Sequence, residues 1–396
     1  MFIRLKEIDT LLGKLSFEKN SYPGFEKLII DFLDSIYLSL NINKKNYIYS
    51  DLMTFGFWCR KQNLIKLENN YKNKYLLLGR GTILHITPSN IPMNFAYSLA
   101  FGLLSGNSNI VRLPERNFDQ VKILCRIIKR VLDRKKFQIL KKRICLIRYK
   151  RSDKISSMLS NEVDARMIWG GDNTISNFKK YKTQPRCIDL CFSNRYSLSV
   201  INIAKFKKLN TSEIKNLANR FYNDAYLMDQ QGCSSPQALI WIGKEGENQK
   251  NFFWKSLKDL VDKNYKHDLS VASKKISSVT ELAIKSKFNF KTNLSNFKII
   301  KINIKNPSRN LEEIQCHFGS FTELSFKKVD DLKKIITKKF QTLTIYGFDN
   351  QELEKFIIKS GVNGIDRIVP IGRAFDMGHI WDAYDIINTL ARVVVK

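Results

Sequence analysis

Histidine is scarce in this 396-residue chain: there are four, at His85, His267, His317 and His379, and none lies near Cys233 in sequence, so nothing local supports a Cys-His hydrolase. A G-x-G-x-x-G fingerprint is absent, so a dinucleotide bound here would be held in another way. No long apolar run exists. The longest, around Ala96–Leu104, is far too short to cross a bilayer. The opening residues MFIRLKEIDTLLG lack the apolar stretch of a secretory signal. The seven cysteines are an odd number without the spacing of a small disulfide domain. Free thiols in a reducing cytoplasm are therefore the expectation. Internal repeats and low-complexity linkers are also missing.

Acidic residues are the scarce charge. There are 37 Asp and Glu against 67 Lys and Arg, a formal net charge of +30. Such an excess attracts nucleic acid, anionic lipid or an acidic partner. No basic block is concentrated into a tail, however. Lys, Asn and Ile are abundant along the whole chain, as AT-rich coding would produce, so the charge assigns no partner by itself. The length exceeds one simple core, and 43% hydrophobic residues suffice for two packed domains.

Residues 1–80 read as mainly helical, with an amphipathic stretch near Phe25–Leu38. From residue 81 strands and helices alternate. Strands are expected at 82–87, 109–113, 144–149 and 165–169, and helices at 93–104, 120–134 and 154–159. Alternation of this kind argues for a parallel sheet wound in the Rossmann manner. Ligands on such sheets bind at the carboxyl ends of the strands. That singles out three loops: TPSN (87–90), RLPER (112–116) and WGGDN (169–173). After CIDLCF (187–192) and a strand at 196–202, a second αβ unit follows, with a helix at 212–229 and a strand at 238–242. The stretch around Trp381–Leu390 reads as a tail helix whose stripe of Trp381, Tyr384, Ile387 and Leu390 serves the core or a subunit interface.

Two local features point to chemistry. DQQGCSSPQ (229–237) puts Cys233 in a tight polar turn between a helix and a strand. A thiolate is the nucleophile, and nearby amide N–H groups can lower a thiol pKa. The competing reading is a tolerated small loop residue. Asn90 stands where a strand gives way to a helix and can aim its amide at an oxyanion, or simply cap the helix. Cys187, Asp189 and Cys191 alternate onto one strand face. Without a histidine beside them they are read as strand residues, and no metal is expected.

Taken together, ITPSNIP (86–92) followed by GLLSGNSNIVRLPE (102–115) resembles the corresponding stretch of the aldehyde dehydrogenase superfamily. MIWGGDNTI (167–175), PRCIDLCFSNRYSLSVI (185–201), QQGCSSPQ (230–237) and the tail GIDRIVPIGRAFDMGHIWDAYDIINTLAR (364–392) are closer to the LuxC-type acyl-CoA reductases within it. The resemblance covers roughly residues 80–396. It implies an α/β, aldehyde-dehydrogenase-like fold, with a Rossmann-type parallel-sheet cofactor domain and a second α/β catalytic domain. The implied organisation is a helical region over 1–80, a nicotinamide-cofactor domain over 81–205, a catalytic domain over 206–365, and a C-terminal segment, 366–396, in the core or an oligomer contact.

The resemblance also implies a mechanism. Cys233 matches the family nucleophile, and Asn90 the oxyanion-binding asparagine, working with the backbone N–H of Cys233. Asp189 falls at the position of the general-base glutamate. Thr87, Pro88 and Ser89, with Gly170 and Gly171, match the cofactor loops. Arg112 and Glu115 match residues that contact the adenosine ribose. Cys316 stands where the family has the glutamate that holds the nicotinamide ribose. The implied activity is reduction of a fatty acyl thioester to an aldehyde with NADPH, NADH being the alternative donor. The implied partners are a fatty acyl-CoA or acyl carrier protein, an acyl-protein synthetase, and further copies of this chain. Two rival functions stand beside it: a CoA-acylating aldehyde dehydrogenase acting on short-chain aldehydes, and a basic nucleic-acid or membrane-binding protein with an inert Cys233.

Overall fold

The computed structural model describes residues 7–71, 76–244, 246–266, 269–285, 290–293, 298–304, 310–315 and 317–395. Cys316 and His267 lie outside the described residues. The chain forms two compact units, one of Met1–Ser193 with His379–Lys396 and one of Asn194–Gly378.

The first unit contains strands β1 (Asp9–Leu12), β2 (Leu76–Gly79), β3 (Thr82–Ile86), β4 (Ser108–Arg112), β5 (Ile144–Arg148), β6 (Ala165–Trp169) and β7 (Ile188–Phe192). Its helices are α1 (Lys27–Ile42), α2 (Ser50–Trp58), α3 (Lys61–Asn69), α4 (Asn94–Leu104), α5 (Asp119–Leu132), α6 (Asp153–Glu162) and α7 (Asp172–Lys179). Six strands form one sheet in the order β1-β5-β4-β3-β6-β7. All neighbours are parallel except β1 on β5. Every residue of β3 and β6 is buried, as expected when helices cover both faces of a parallel sheet. On α5, Val121, Leu124, Ile128 and Val131 recur at helical spacing and are buried.

The N-terminal region is helical, as its sequence suggests, but also gives an edge strand, β1. Gly13 directly after it has φ +77°, and a Cβ there would lie 2.0 Å from the Ile144 carbonyl oxygen. Only glycine permits this approach of β1 to β5. From β3 the chain moves outward through β4 and β5, then returns to β6 on the other side of β3. The topological switch point therefore lies between β3 and β6, at the carboxyl ends that carry residues 87–90 and 170–171.

The second unit holds β8 (Tyr196–Asn202), β9 (Pro236–Ile242), β10 (Phe290–Asn293), β11 (Ile300–Ile304), β12 (Ser320–Phe326), β13 (Phe340–Tyr346) and β14 (Arg367–Pro370), in the order β10-β11-β12-β9-β8-β13-β14. Its helices are α8 (Ile203–Phe206), α9 (Thr211–Tyr226), α10 (Glu247–Asn264), α11 (Leu269–Lys285) and α12 (Asn350–Ser360). Alternate residues feed two cores, one on each face. Leu198, Val200, Ala238 and Ile240 enter one, and Ile201, Leu239 and Trp241 the other. The expected boundary at 205 leaves residues 196–202 with the first region. In the structure β8 is instead a central strand of the second sheet, hydrogen-bonded to both β9 and β13. Its fully buried run Tyr196–Ile201 needs neighbours on both edges.

Helix α9 begins with a capping box, Asn210 and Glu213 each closing the other's backbone N–H. It stops at Tyr226, three residues short of the expected 229, because Asp229 and Gln230 adopt φ of 51° and 58°.

The last segment contributes β15 (Ile380–Trp381), β16 (Tyr384–Asp385), α13 (Ile386–Leu390) and β17 (Ala391–Val394). It belongs to the first unit, with β17 antiparallel to β2. The single tail helix expected over 381–390 is replaced by a two-residue turn and a short helix. Asp382 and Ala383 have φ of 48° and 62°, which closes the turn between β15 and β16. Trp381, Ile387 and Leu390 are buried in the core as expected, whereas Tyr384 is 37% exposed. Among the described residues, no helix is long and apolar enough to cross a membrane.

Candidate active site

Cys233 lies in the second unit, on the loop between α9 and β9, and is half-buried. The preceding loop is bolted down by Gln230, which is fully buried. Its Nε2 donates to the carbonyl oxygens of Pro236 and Ser320 at 2.8 and 2.9 Å. Its Oε1 accepts the backbone N–H groups of Gly319 and Ser320 at 2.9 and 3.1 Å. Asp229 accepts from the Tyr265 hydroxyl at 2.7 Å, and its carbonyl oxygen accepts the Phe318 N–H at 3.0 Å. Two left-handed non-glycine residues in succession are strained, and these bonds hold them there. Gly232 then packs so tightly that a Cβ would lie 2.7 Å from the Phe375 ring.

The thiol itself meets β13. Gln341 Nε2 donates to Cys233 Sγ at 3.4 Å. Ser197 on β8 donates to the Cys233 carbonyl oxygen at 2.7 Å. Arg367, the first residue of β14, is paired in register with Thr342 next to Gln341. Its guanidinium donates to the carbonyl oxygens of Ala374, Arg373 and Asp376 at 2.6, 3.0 and 2.7 Å. Burial lowers its pKa, and the negative charges of Asp376, Asp224 and Cys233 oppose that fall. The half-buried Arg367 cation therefore lies in electrostatic range of Cys233. The loop supplying those carbonyls is anchored by Asp224, whose carboxylate accepts the Gly372 and Ala374 N–H groups at 2.6 and 2.9 Å. Burial pushes the Asp224 carboxyl up to about 7, against these two hydrogen bonds. None of the six described cysteines forms a disulfide.

In the first unit the structure gathers the expected cofactor residues at the carboxyl ends of the strands. Thr87 follows β3, and its hydroxyl donates to the Arg112 carbonyl oxygen at 2.7 Å. Arg112 ends β4, stacks 4.5 Å from the Tyr149 ring centroid, and donates to Glu115 at 2.5 Å and to the Tyr149 carbonyl at 3.1 Å. Its Nε is buried without a hydrogen-bond partner. Pro88 is half-buried, and Ser89 and Asn90 are exposed. Asn90 caps no helix, because α4 is capped by Met93 and starts at Asn94. Gly170 and Gly171 follow β6, with Gly171 at the N-cap of α7.

Behind these loops runs a buried polar chain. His85 Nε2 faces Asn109 Oδ1 at 2.9 Å, His85 Nδ1 faces the Ser98 hydroxyl at 2.7 Å, and Trp169 Nε1 donates to that hydroxyl at 3.1 Å. Asn109 presents an acceptor, so Nε2 carries the proton and Nδ1 accepts from Ser98. Burial lowers the His85 pKa to about 4, keeping the ring neutral. Trp169 stacks on Phe192 with ring centroids 3.7 Å apart.

Asp189 is set apart from these loops. It pairs in register with Arg166, itself opposite Leu84, near the amino end of the edge strand β7, whereas the loops follow Ile86 and Trp169 at the carboxyl ends. Both its oxygens are taken by Arg166, Nε at 2.7 Å and Nη2 at 2.6 Å. Arg166 is almost fully buried and also donates to the Phe178 carbonyl oxygen at 2.8 Å. The residue at the general-base position is thus a fixed counter-ion. Ser197, Gln341 and Arg367 escaped the sequence reading. Arg367 lies inside the tail motif, but Gln341 carries no signal beyond a polar residue in an otherwise apolar and threonine strand. The position expected at Cys316 lies outside the described residues.

The chain is similar to known proteins at two levels. In sequence it resembles the long-chain acyl-protein thioester reductases of Vibrio harveyi, at 23% identity over 329 residues, and of Aliivibrio fischeri, at 22%. Each alignment covers 80% of this chain and 64% of the relative, so the chain spans less than two thirds of their length. Among solved structures it resembles 1-pyrroline-5-carboxylate dehydrogenase from Thermus thermophilus (an R100A mutant), with TM-score 0.64, 9% identity, and coverage of 92% of this chain and 80% of that one. Lactaldehyde dehydrogenase from Escherichia coli gives TM-score 0.63 at 10% identity, covering 92% and 85%. A putative methylmalonate-semialdehyde dehydrogenase from Sinorhizobium meliloti, solved with NAD, gives 0.61 at 14%, covering 92% and 84%. At such identities the likeness is one of fold, and the fold is that of the aldehyde dehydrogenases. The sequence matches the model of the family described as acyl-CoA reductase (LuxC) over residues 63–394. That match spans most of the chain, and the protein therefore belongs to the acyl-CoA reductase (LuxC) family.

Proposed function

We propose that this protein reduces a long-chain fatty acyl thioester to the aldehyde through an S-acyl intermediate on Cys233. The observation that carries this reading is the caged, half-buried Cys233 thiol, with the Gln341 amide on its sulfur at 3.4 Å. Family membership and the names of the two sequence relatives support the substrate class.

The Cys233 thiolate adds to the thioester carbonyl carbon. The bond from that carbon to the donor sulfur breaks, the donor departs as a thiolate that takes a proton from water, and the acyl group remains on Sγ. The oxyanion is received by the Asn90 side-chain amide and the Cys233 backbone N–H. When bound, the nicotinamide supplies the hydride that takes the acyl carbon to the aldehyde level. The aldehyde leaves as its bond to Sγ breaks, which restores the thiolate. Asp189 moves no proton in this scheme, because Arg166 holds both its oxygens.

Thr87, Pro88, Ser89, Gly170 and Gly171 are proposed to line the cofactor at the switch point, with Arg112 and Glu115 at the adenosine ribose. The buried, unpartnered Nε of Arg112 fits a phosphate or hydroxyl acceptor there. NADPH is the proposed donor on the strength of the family resemblance, and not of Arg112, whose partner Glu115 would repel a 2′-phosphate. The protein is proposed to act in the cytoplasm, as a homo-oligomer, on acyl groups delivered as CoA or protein thioesters.

The test is to incubate the protein with NADPH or NADH and a chain-length series of acyl-CoA and acyl-carrier-protein thioesters, and to identify the products. Long-chain aldehyde is expected. CoA-dependent oxidation of short aldehydes alone would favour the acylating dehydrogenase. No turnover, together with steeply salt-dependent DNA binding, would favour the basic binding protein.

A further inference from the structure

We infer that Gln341 is a further catalytic residue, whose side-chain amide stabilises the Cys233 sulfur as a thiolate and fixes its direction. The inference rests on the reading of Cys233 as the nucleophile.

Gln341 is on β13 and only 1% exposed. A primary amide is costly to bury in a strand, between Phe340 and Thr342, unless both its ends are bonded. Both ends are. A thiolate only accepts, so Nε2 is the end that meets Cys233 Sγ, at 3.4 Å, and the Thr342 hydroxyl then donates to Oε1 at 3.2 Å. The strand is fixed where Gln341 sits, because the Asp366 N–H donates to the Gln341 carbonyl oxygen at 2.8 Å. The sulfur is held from its own side by the Ser197 bond to the Cys233 carbonyl. The N–H therefore addresses the sulfur from one set direction.

An N–H donated to sulfur binds S⁻ more strongly than S–H, so it favours release of the thiol proton to water. The Arg367 guanidinium acts in the same sense. No other described cysteine accepts a side-chain N–H on its sulfur. Burial pushes the thiols of Cys125 and Cys145 up to about 12 and that of Cys187 to about 11, and Cys59 and Cys191 move in the same direction.

The test follows the rate of iodoacetamide alkylation against pH in the full chain. The Cys233 peptide is read by mass spectrometry, and the Cys187 peptide serves as the internal reference. Wild type is compared with Gln341→Leu, which removes the donor, and with Gln341→Glu, which keeps the shape and sets a carboxylate against the sulfur. In Gln341→Leu the Cys233 profile is expected to move up by about one pH unit and the rate at pH 7 to fall about tenfold. In Gln341→Glu it moves further up. The Cys187 profile stays where it is. If Gln341→Leu does not fold, Gln341→Glu decides alone. A Cys233 profile unchanged in the folded variants overturns the inference. No acyl substrate is used, so this outcome is separate from failure of Cys233 to accept an acyl group.

Discussion

The Ser197 hydroxyl donates to the Cys233 carbonyl oxygen at 2.7 Å and accepts the Thr342 backbone N–H at 3.1 Å. One buried side chain on β8 thereby joins the Cys233 loop to β13, the strand that carries Gln341. The thiol and its hydrogen-bond donor are held in register by a residue that touches neither.

Ser197→Ala strands both partners. Leaving a buried polar group unsatisfied costs about 1–3 kcal/mol, so a total loss of about 2–6 kcal/mol is expected for the two. Urea unfolding of wild type and variant measures it. A loss below about 0.5 kcal/mol, the range of ordinary surface substitutions, would show that the hydroxyl is not structural.

Asn90 is exposed and caps no helix. Asn90→Ala is therefore expected to leave stability within about 0.5 kcal/mol of wild type. As an oxyanion donor its loss slows turnover about 10²–10³-fold. Cofactor affinity should stay near the wild-type value. Single-turnover acylation and reduction rates, read beside a thermal melt, separate the catalytic role from a structural one.

Asp189→Asn uncovers the nearly buried Arg166 guanidinium. Breaking a buried pair from one side costs about 3–5 kcal/mol, and the partial exposure of Asp189 places the expected loss near about 3 kcal/mol. Aldehyde formation per folded molecule should change less than about threefold, a barrier shift of under about 1 kcal/mol. Replacing both partners, as Arg166→Met with Asp189→Leu, should recover much of the stability. Quantified refolded protein and product yield test both statements. A large rate loss without instability would restore Asp189 to the chemistry.

Asp224 and His85 give opposing pH dependences. Burial raises the Asp224 carboxyl to about 7, against an ordinary value of 3.8. The folded state therefore holds that proton more tightly. Its stabilising contribution is complete below about pH 4 and is lost as pH rises through about 7. Burial lowers His85 to about 4 from 6.5, so its contribution is complete above 6.5 and is lost on acidification toward 4. Urea midpoints measured from pH 4 to 8 in wild type, Asp224→Asn and His85→Gln should diverge in opposite directions, each by at most about 1.4 kcal/mol per pH unit.

Much of this arrangement is legible in the sequence. The buried strands β3 to β6 show as short, mainly apolar segments between helical periods, and the polar turn around Cys233 marks itself. Other parts are written in non-local terms. The turn at Asp229 and Gln230 contains no glycine or proline. Its left-handed backbone is maintained by Tyr265, Phe318, Gly319 and Ser320, so α9 reads longer than it is. Trp381–Leu390 has a helical stripe, yet Asp382 and Ala383 turn the chain and the apolar residues reach the core from two short elements. Asp189 finds its cation 23 residues away, and Cys233 meets Gln341 from 108 residues away. Periodicity registers neither pairing.

The most direct test of the central claim is to incubate the protein with isotopically labelled long-chain acyl-CoA without reductant and to map the adduct. The label is expected on Cys233 alone, absent in Cys233→Ala, and released as labelled aldehyde when NADPH is added. Label on another cysteine, or label that persists in Cys233→Ala, would contradict the account.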